Sequence, residues 1–280
     1  MWHGGARLGW AVLGVAWPGL GPYGRSSHSE FHAARHGVPR QVKAEQGKGS
    51  YEQQERKQMR LYQVTITGTQ PLLMHHDDID WADTMEAWKL DKDNKKASKA
   101  GDDRSPAFRW IGNLYRNEDG KIILPTDNIM RCLMEGATMV LVPGGKSGKT
   151  FKAQSQSGIM PRAVGWELMC AGKSIDTTPF AKLMQESDFA RHEEAARGMG
   201  FNLFKKRAKI GQSKHVRVRP RFDQWSASGE LLVVDEQITD SVLADILEMA
   251  GKYKGLGDWR PSSKTPGTFG MFTASVKRIN

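Results

Sequence analysis

Eight lysines and arginines fall between positions 205 and 221 with no acidic residue among them: Lys205, Lys206, Arg207, Lys209, Lys214, Arg217, Arg219 and Arg221. The three arginines alternate with Val216, Val218 and Pro220. In a strand, alternate residues face opposite sides, so the guanidinium groups would share one face and the valines the other. Guanidinium forks match phosphate oxygens, and a stripe of them two residues apart suits a nucleic-acid backbone. A solvated sheet face is the competing explanation, but such faces usually mix both signs of charge. A second motif is rich in glycine: Gly255-Leu256-Gly257-Asp258-Trp259-Arg260-Pro261, then Pro266-Gly267-Thr268-Phe269-Gly270. Glycine permits positive φ and close approach of backbone to a ligand; a tight helix-to-strand connection would use the same residues.

Other constellations could do hydrolytic or metal chemistry. His75, His76, Asp77 and Asp78, with Asp80, bring hard and borderline ligands together, as a metal-dependent ribonuclease would need. Adjacent residues seldom converge on one ion and no distant ligand can be named, so a solvated turn is the better account of the cluster. His28, His32 and His36 recur every four residues and would share one helix face, but no acidic or thiol ligand stands at matching spacing. Gly148-Lys149-Thr150 copies the end of a phosphate-binding loop, and Asp235-Glu236 follows an apolar run as a magnesium ligand would. The full pattern needs a glycine where Pro143 stands, and it needs a strand before and a helix after the loop. The segment 151–158 is too polar to read as a packed helix. A basic loop is the simpler reading, and an ATPase the third. No Gly-x-Ser-x-Gly elbow occurs, and the two cysteines, Cys132 and Cys170, have no redox spacing. No catalytic residue, metal centre or cofactor is expected.

The elements that must position these residues are legible from periodicity. Tyr62, Val64 and Ile66 alternate with Gln63, Thr65 and Thr67, which predicts a half-buried strand over 61–67. Residues 89–105 read as a charged loop. Pro125, Thr126 and Asp127 open a helix, with Asp127 as N-cap and an apolar stripe of Ile129, Met130, Leu133, Met134, Ala137 and Leu141. A further helix is expected over 179–197, strands over 216–222 and 230–234, a helix over 239–250 ending at Gly251, and a last strand over 268–276. Stripped of insertions the order is βαββαβ: an α+β, ferredoxin-like arrangement with helices on one face of the sheet. RNA-binding modules use the other, open face.

The chain has 280 residues, with 41 Lys+Arg against 31 Asp+Glu and a net charge of +10. That suits a globular protein with an anionic partner, for which nucleic acid is the commonest. No apolar run is long enough for a membrane span, so a cytoplasmic protein is expected. Residues 1–58 hold one methionine and are punctuated by glycine and proline, while the remaining twelve methionines lie from Met59 onward. We read 1–58 as a disordered leader or a start placed too early. A weak secretory signal is the alternative, since Arg7 precedes a short apolar run. Residues 59–280 are read as a single domain, with insertions at about 68–123 and 165–214.

This body resembles the RAMP superfamily of CRISPR-associated proteins, and within it the backbone subunit that polymerises along guide RNA in multisubunit effector complexes. It also resembles relatives in phages and integrated elements. The resemblance rests on the opening strand 61–67, the helix entry from Leu124-Pro125 to Arg131, the strand 216–222 followed by a strand–helix pair, and the glycine loop 255–270. It implies a modified RNA-recognition fold, single-stranded RNA held by backbone and basic contacts, self-association along that RNA in a ribonucleoprotein, and a protruding thumb from about 165–214. The RNA-binding set it implies is Arg131, Gly255, Gly257 and Arg260 together with the basic run. Some members cut RNA with an acidic loop residue, for which Asp77, Asp78 and Asp80 are the nearest here.

Overall fold

The first strand, β1 (Arg60–Gly68), buries Tyr62, Val64 and Ile66 and turns the residues between them to the other side. Beyond it the chain runs β2 (Leu72–Leu73), α1 (Ile79–Leu90), a 3-10 turn (Ala107–Asn113), β3 (Ile123–Pro125), α2 (Thr126–Ala137), α3 (Lys152–Gly158), β4 (Ile159–Pro161), β5 (Gly165–Cys170), β6 (Lys173–Ser174), α4 (Phe180–Leu183), α5 (Phe189–Gly198), β7 (Asn202–Ile210), β8 (Ser213–Phe222), β9 (Trp225–Val233), α6 (Asp240–Met249), a π turn (Ala250–Lys254) and β10 (Phe272–Arg278). The computed structural model describes residues 59–92, 94, 105–146, 148–210 and 213–280, with 207–210 and 213–215 as backbone alone. The expected leader 1–58, the trio His28, His32 and His36, and most of the charged loop lie outside the described residues.

The main sheet has the order β10-β1-β9-β5, extended by β3, with antiparallel neighbours throughout. α2 lies between β1 and β5 in sequence, and α6 between β9 and β10. The fold is therefore the α+β, ferredoxin-like βαββαβ arrangement. The helices cover one face. Ile129, Cys132, Leu133, Gly136 and Ala137 of α2 and Leu243, Ile246 and Leu247 of α6 are buried at the i, i+3, i+4 spacing that keeps them on one stripe. Thr239 caps α6 by accepting the Val242 amide at 3.3 Å. Asp127 is not the cap of α2: Pro125 holds that position and makes no side-chain cap bond, and Asp127 sits in the first turn, where its charge still suits the helix dipole.

The sequence reading differs from the structure in its choice of second sheet strand. Residues 216–222 are a strand, but they pair with β7 and β2 in a separate three-stranded sheet. The place beside β9 belongs to β5, whose Trp166, Leu168 and Cys170 alternate inward. Six residues of modest apolarity were too short to stand out against the longer arginine-bearing strand. The helix expected over 179–197 is broken into α4 and α5. The polar segment 151–158 does form a helix, α3, which buries Ser155 and Gly158.

The small sheet has its own aromatic centre. The Trp110 ring stands edge-on to Phe180, His192 and Phe201, at centroid distances of 5.7, 6.2 and 5.6 Å. Its Nε1 donates to His192 Nδ1 at 3.1 Å, and His192 Nε2 reaches the Glu186 carbonyl at 3.0 Å. The buried imidazole is thereby held by hydrogen bonds at both ring nitrogens.

The uncovered face of the main sheet is chemically plain. Strand register places Gln63, Thr65 and Thr67 beside Lys277, Ser275 and Thr273 on one side and Glu230, Ser228 and Ser226 on the other. No aromatic side chain stands on that face among the described strands β10, β1, β9 and β5. RNA-recognition sheets stack bases on aromatic rings at this position, so this face lacks their means of holding a base.

Ile246 is fully buried between α6 and the sheet. Ile246→Ala is expected to lower unfolding stability by about 2–5 kcal/mol with an unchanged denaturant slope, as read by urea titration.

Candidate nucleic-acid interface

The hairpin of β7 and β8 sorts the basic run by alternation. Register sets Phe204 opposite Arg219 and Lys206 opposite Arg217, so these four share a face, while Lys205 lies opposite Val218 on the other. Lys205 pairs with Glu193 at 2.8 Å and stands over the Phe189 ring. Val218 is half-buried against the core. Of Arg207, Lys209 and Lys214 only the backbone is described, within β7 and β8.

The three arginines of β8 have different surroundings. Arg219 is 8% exposed; its Nε donates to Asp258 Oδ2 at 3.1 Å and its Nη1 to Asn113 Oδ1 at 3.3 Å. Burial works against its charge and lowers its pKa, and Asp258 offsets this in part. Arg221 is held by Asp223 at 2.7 Å. Arg217 is exposed and has no ion pair among the described residues.

Arg217 faces a cleft of about 410 Å³ between the hairpin and the glycine-rich loop, lined also by Leu73, Phe204, Lys206, Arg219, Asp258, Trp259, Ser263, Lys264 and Thr265. The volume lies in the range of small-ligand pockets, about 300–1,000 Å³. Phe204 and Trp259 line the cleft, and Phe269 packs against both. Trp259 stacks on Phe269 at 5.6 Å and 26°, and Phe204 lies 6.2 Å from Trp259 and 5.5 Å from Phe269. Lys206 Nζ stands 2.9 Å from the Trp259 ring centroid. Lys206 and Lys264, like Arg217, have no acidic partner among the described residues.

The glycine-rich loop is locked by backbone contacts. The Asp258 amide donates to Leu73 at 2.8 Å, the Leu256 amide to Gly270 at 2.9 Å, and the Gly270 amide to Pro71 at 2.7 Å. Gly257 has φ of 77°, and a Cβ there would lie 2.3 Å from the Leu73 carbonyl oxygen. Gly255 accepts the Cys132 thiol at 3.2 Å; burial pushes that thiol up to about 12, so it stays a protonated donor. Trp259 itself has φ of 53°, a left-handed conformation that costs a bulky residue about 1–3 kcal/mol.

A smaller pocket of about 170 Å³ lies beside the loop, lined by His75, Tyr115, Asn128, Arg131, Arg260 and the loop residues 255–258. Arg131 and Arg260 share the carboxylate of Glu135, at 3.1 and 3.2 Å. Burial would raise the Glu135 pKa, but hydrogen bonds from Ser262 and Arg131 and the two guanidinium charges more than offset it, and the net shift is downward. His75 is held below the ordinary histidine range by partial burial and by Arg219 and Arg217.

The His75–Asp80 cluster does not converge. His75 lines the small pocket, His76 packs on Tyr115 at 4.4 Å, and Asp78 caps α1 by accepting the Asp80 and Trp81 amides. Asp77 is exposed, and Asp80 lies in the first turn of α1. Among the described residues no three His, Cys, Asp or Glu side chains are placed to hold one metal ion. Lys149 lies in a turn closed by the Val142 amide on its own carbonyl at 2.9 Å; the turn follows α2 rather than a strand. No helix among the described residues is long and apolar enough to cross a membrane.

Sequence reasoning missed Phe204 and Lys264, and it read Trp259 and Phe269 only as part of a glycine turn. The available signal was Phe204 two residues before Lys206, which puts a ring and a cation on one strand face.

No protein-family model matches the sequence, and no curated protein does. The chain is similar in structure to a chain in the cryo-EM structure of the type III-B Cmr-beta bound to cognate target RNA. That likeness has a TM-score of 0.41 and 10% identity, and covers 85% of this chain and 68% of that one.

Two outcomes are expected from the loop geometry. Arg219→Gln should destabilise the protein by about 1.5–3 kcal/mol, because it strips the charge-assisted bonds from Asp258 and Asn113, whereas Arg221→Gln should cost less than about 1 kcal/mol. Paired thermal melts separate the two. Glu135 should contribute stability that is fully present above its unfolded value, near 4.5, and lost as pH falls through its lower folded value. Glu135→Gln should therefore lessen the fall in melting temperature below pH 4.5, and an unchanged acid limb would contradict the shift.

Proposed function

We propose that residues 59–280 bind single-stranded RNA along the cleft between the β7–β8 hairpin and the glycine-rich loop, without reading base sequence. The observation that carries this is the meeting of cations that have no acidic partner among the described residues. Lys206, Arg217 and Lys264 all line this one cleft, whereas Lys205, Arg131, Arg219, Arg221 and Arg260 each have a carboxylate. An unpaired charge remains available to a phosphate, and a paired one is largely neutralised. The rings beside these cations suit unpaired bases. The resemblance of the sequence to guide-RNA-binding subunits supports a ribonucleoprotein setting in which copies of the chain lie side by side along the RNA.

The test is a fluorescence titration of a labelled oligouridine over several salt concentrations, with a mixed-sequence strand and an RNA duplex alongside. Each phosphate neutralised in a single strand contributes about 0.7 to the log–log slope. Changing Lys206, Arg217 and Lys264 together to glutamine should reduce that slope by about two. Changing Lys205 and Arg221, both already paired, should reduce it far less. A protein that ignores single strands at low salt, or a slope untouched by the triple change, overturns the proposal.

A further inference from the structure

The cleft holds a feature that phosphate contacts do not require. Phosphate needs cations, but two aromatic rings, Phe204 and Trp259, line the same space with Phe269 packed against both, and Trp259 is kept there at a cost in backbone conformation. Trp259 stands at φ of 53°. Its carbonyl accepts the Phe269 amide at 3.4 Å, and a Cβ on Gly267 would lie 2.0 Å from that same oxygen. The two halves of the glycine-rich loop thus hold the residue in a conformation that side chains rarely adopt. Strain of this kind persists where surrounding structure over-determines it, and it concentrates at ligand sites.

We propose that Trp259 is the stacking platform for one unpaired nucleobase, and that Lys206, which covers the ring in the free protein, moves from it to a flanking phosphate when the base arrives. The proposal rests on the single-strand reading above and adds to it the base contact and the exchange. Phe269, stacked on Trp259 at 5.6 Å, and Phe204, 6.2 Å away, fix the plane of the indole. Lys206 Nζ, 2.9 Å from the ring centroid, occupies the position over the ring that a base would take.

The exchange is favourable on general grounds. A base stacked on an aromatic ring is worth more than a lysine resting on one at an exposed site. The lysine also keeps its electrostatic role, because a stacked nucleotide brings its phosphate within reach. Every base has a π-face, so the site tolerates any sequence.

An aromatic trio can also cage a quaternary ammonium group. The charge here excludes that ligand. Lys206, Arg217, Arg219 and Lys264 line the cleft against the single carboxylate of Asp258, which Arg219 already engages. A cation would enter against net repulsion. A neutral ring carrying an anionic linkage fits both the rings and the charge.

The experiment titrates the full-length chain with two labelled strands of equal length and charge: a mixed-sequence single-stranded RNA and an abasic ribose-phosphate strand. The base-bearing strand should bind about tenfold more tightly at the same salt, with a slope steeper by about 0.7, because only there is Lys206 released from the ring to a phosphate. Trp259→Ala should bring its affinity down to that of the abasic strand without changing the slope, while Trp259→Phe keeps most of the difference. Lys206→Gln should lower the slope by about 0.7 for the base-bearing strand alone and leave the preference for bases intact; an equal loss of slope on the abasic strand would overturn the exchange. Equal binding of the two strands by the unaltered protein overturns the stacking platform and leaves the phosphate reading standing, and this comparison needs no variant to fold. A Trp259→Ala protein that melts like the parent and still prefers the base-bearing strand also overturns it. Failure of both strands to bind at low salt overturns the single-strand reading itself.

Discussion

The geometry of the cleft depends on one guanidinium group. Arg219 lies almost out of water and joins three segments distant in sequence: its own strand β8, Asp258 of the glycine-rich loop, and Asn113 at the end of the 3-10 turn. Asn113 in turn donates to the Val218 carbonyl at 3.1 Å, so the turn grips β8 at two adjacent residues. A buried charge is tolerated only when paired and hydrogen-bonded. Any displacement of the loop from the hairpin would leave that charge unpaired, and this penalty fixes the distance between the two walls.

The same constraint explains why a run of like charges divides into structural and available members. Strand alternation first separates Lys205 from Lys206. Burial then selects Arg219 as a tie, and local acids claim Lys205 and Arg221. What remains toward the cleft is a small set of cations beside aromatic rings, with no acidic partner among the described residues. The open face of the main sheet, with its threonines and serines, offers neither charge of one sign nor rings. On the proposed reading, the surface offered to nucleic acid is the hairpin and loop rather than the sheet beside them.

The glycine-rich loop serves that surface by being rigid. Positive φ at glycines 255, 257 and 270 and close approach to Leu73 and Leu256 let backbone amides and carbonyls pair across the loop rather than with water. The Cys132 thiol adds a tie from α2 beneath. Rigidity of this kind is what allows a tryptophan to be held in a left-handed conformation, and it spares a ligand the entropy of ordering the loop.

Much of the main sheet was legible in the sequence, because periodicity is local. The alternation of Tyr62, Val64 and Ile66 and the stripes of α2 and α6 follow from burying one face of each element, and with them came the βαββαβ order. The run of like charges and the glycine-rich loop were also visible. The second strand was not: β5 and β8 are both strands locally, and only long-range pairing with β9 decides which one enters the sheet. Partnership of charge was likewise invisible. Nothing in the alternation of Arg217, Arg219 and Arg221 distinguishes an exposed cation from a buried tie or a paired one. That distinction comes from Asp258 and Asn113, brought in from other parts of the chain, and from the water that packing excludes. The ring cluster of Phe204, Trp259 and Phe269 was decided in the same way, since strand register and loop closure bring together side chains that the sequence keeps far apart.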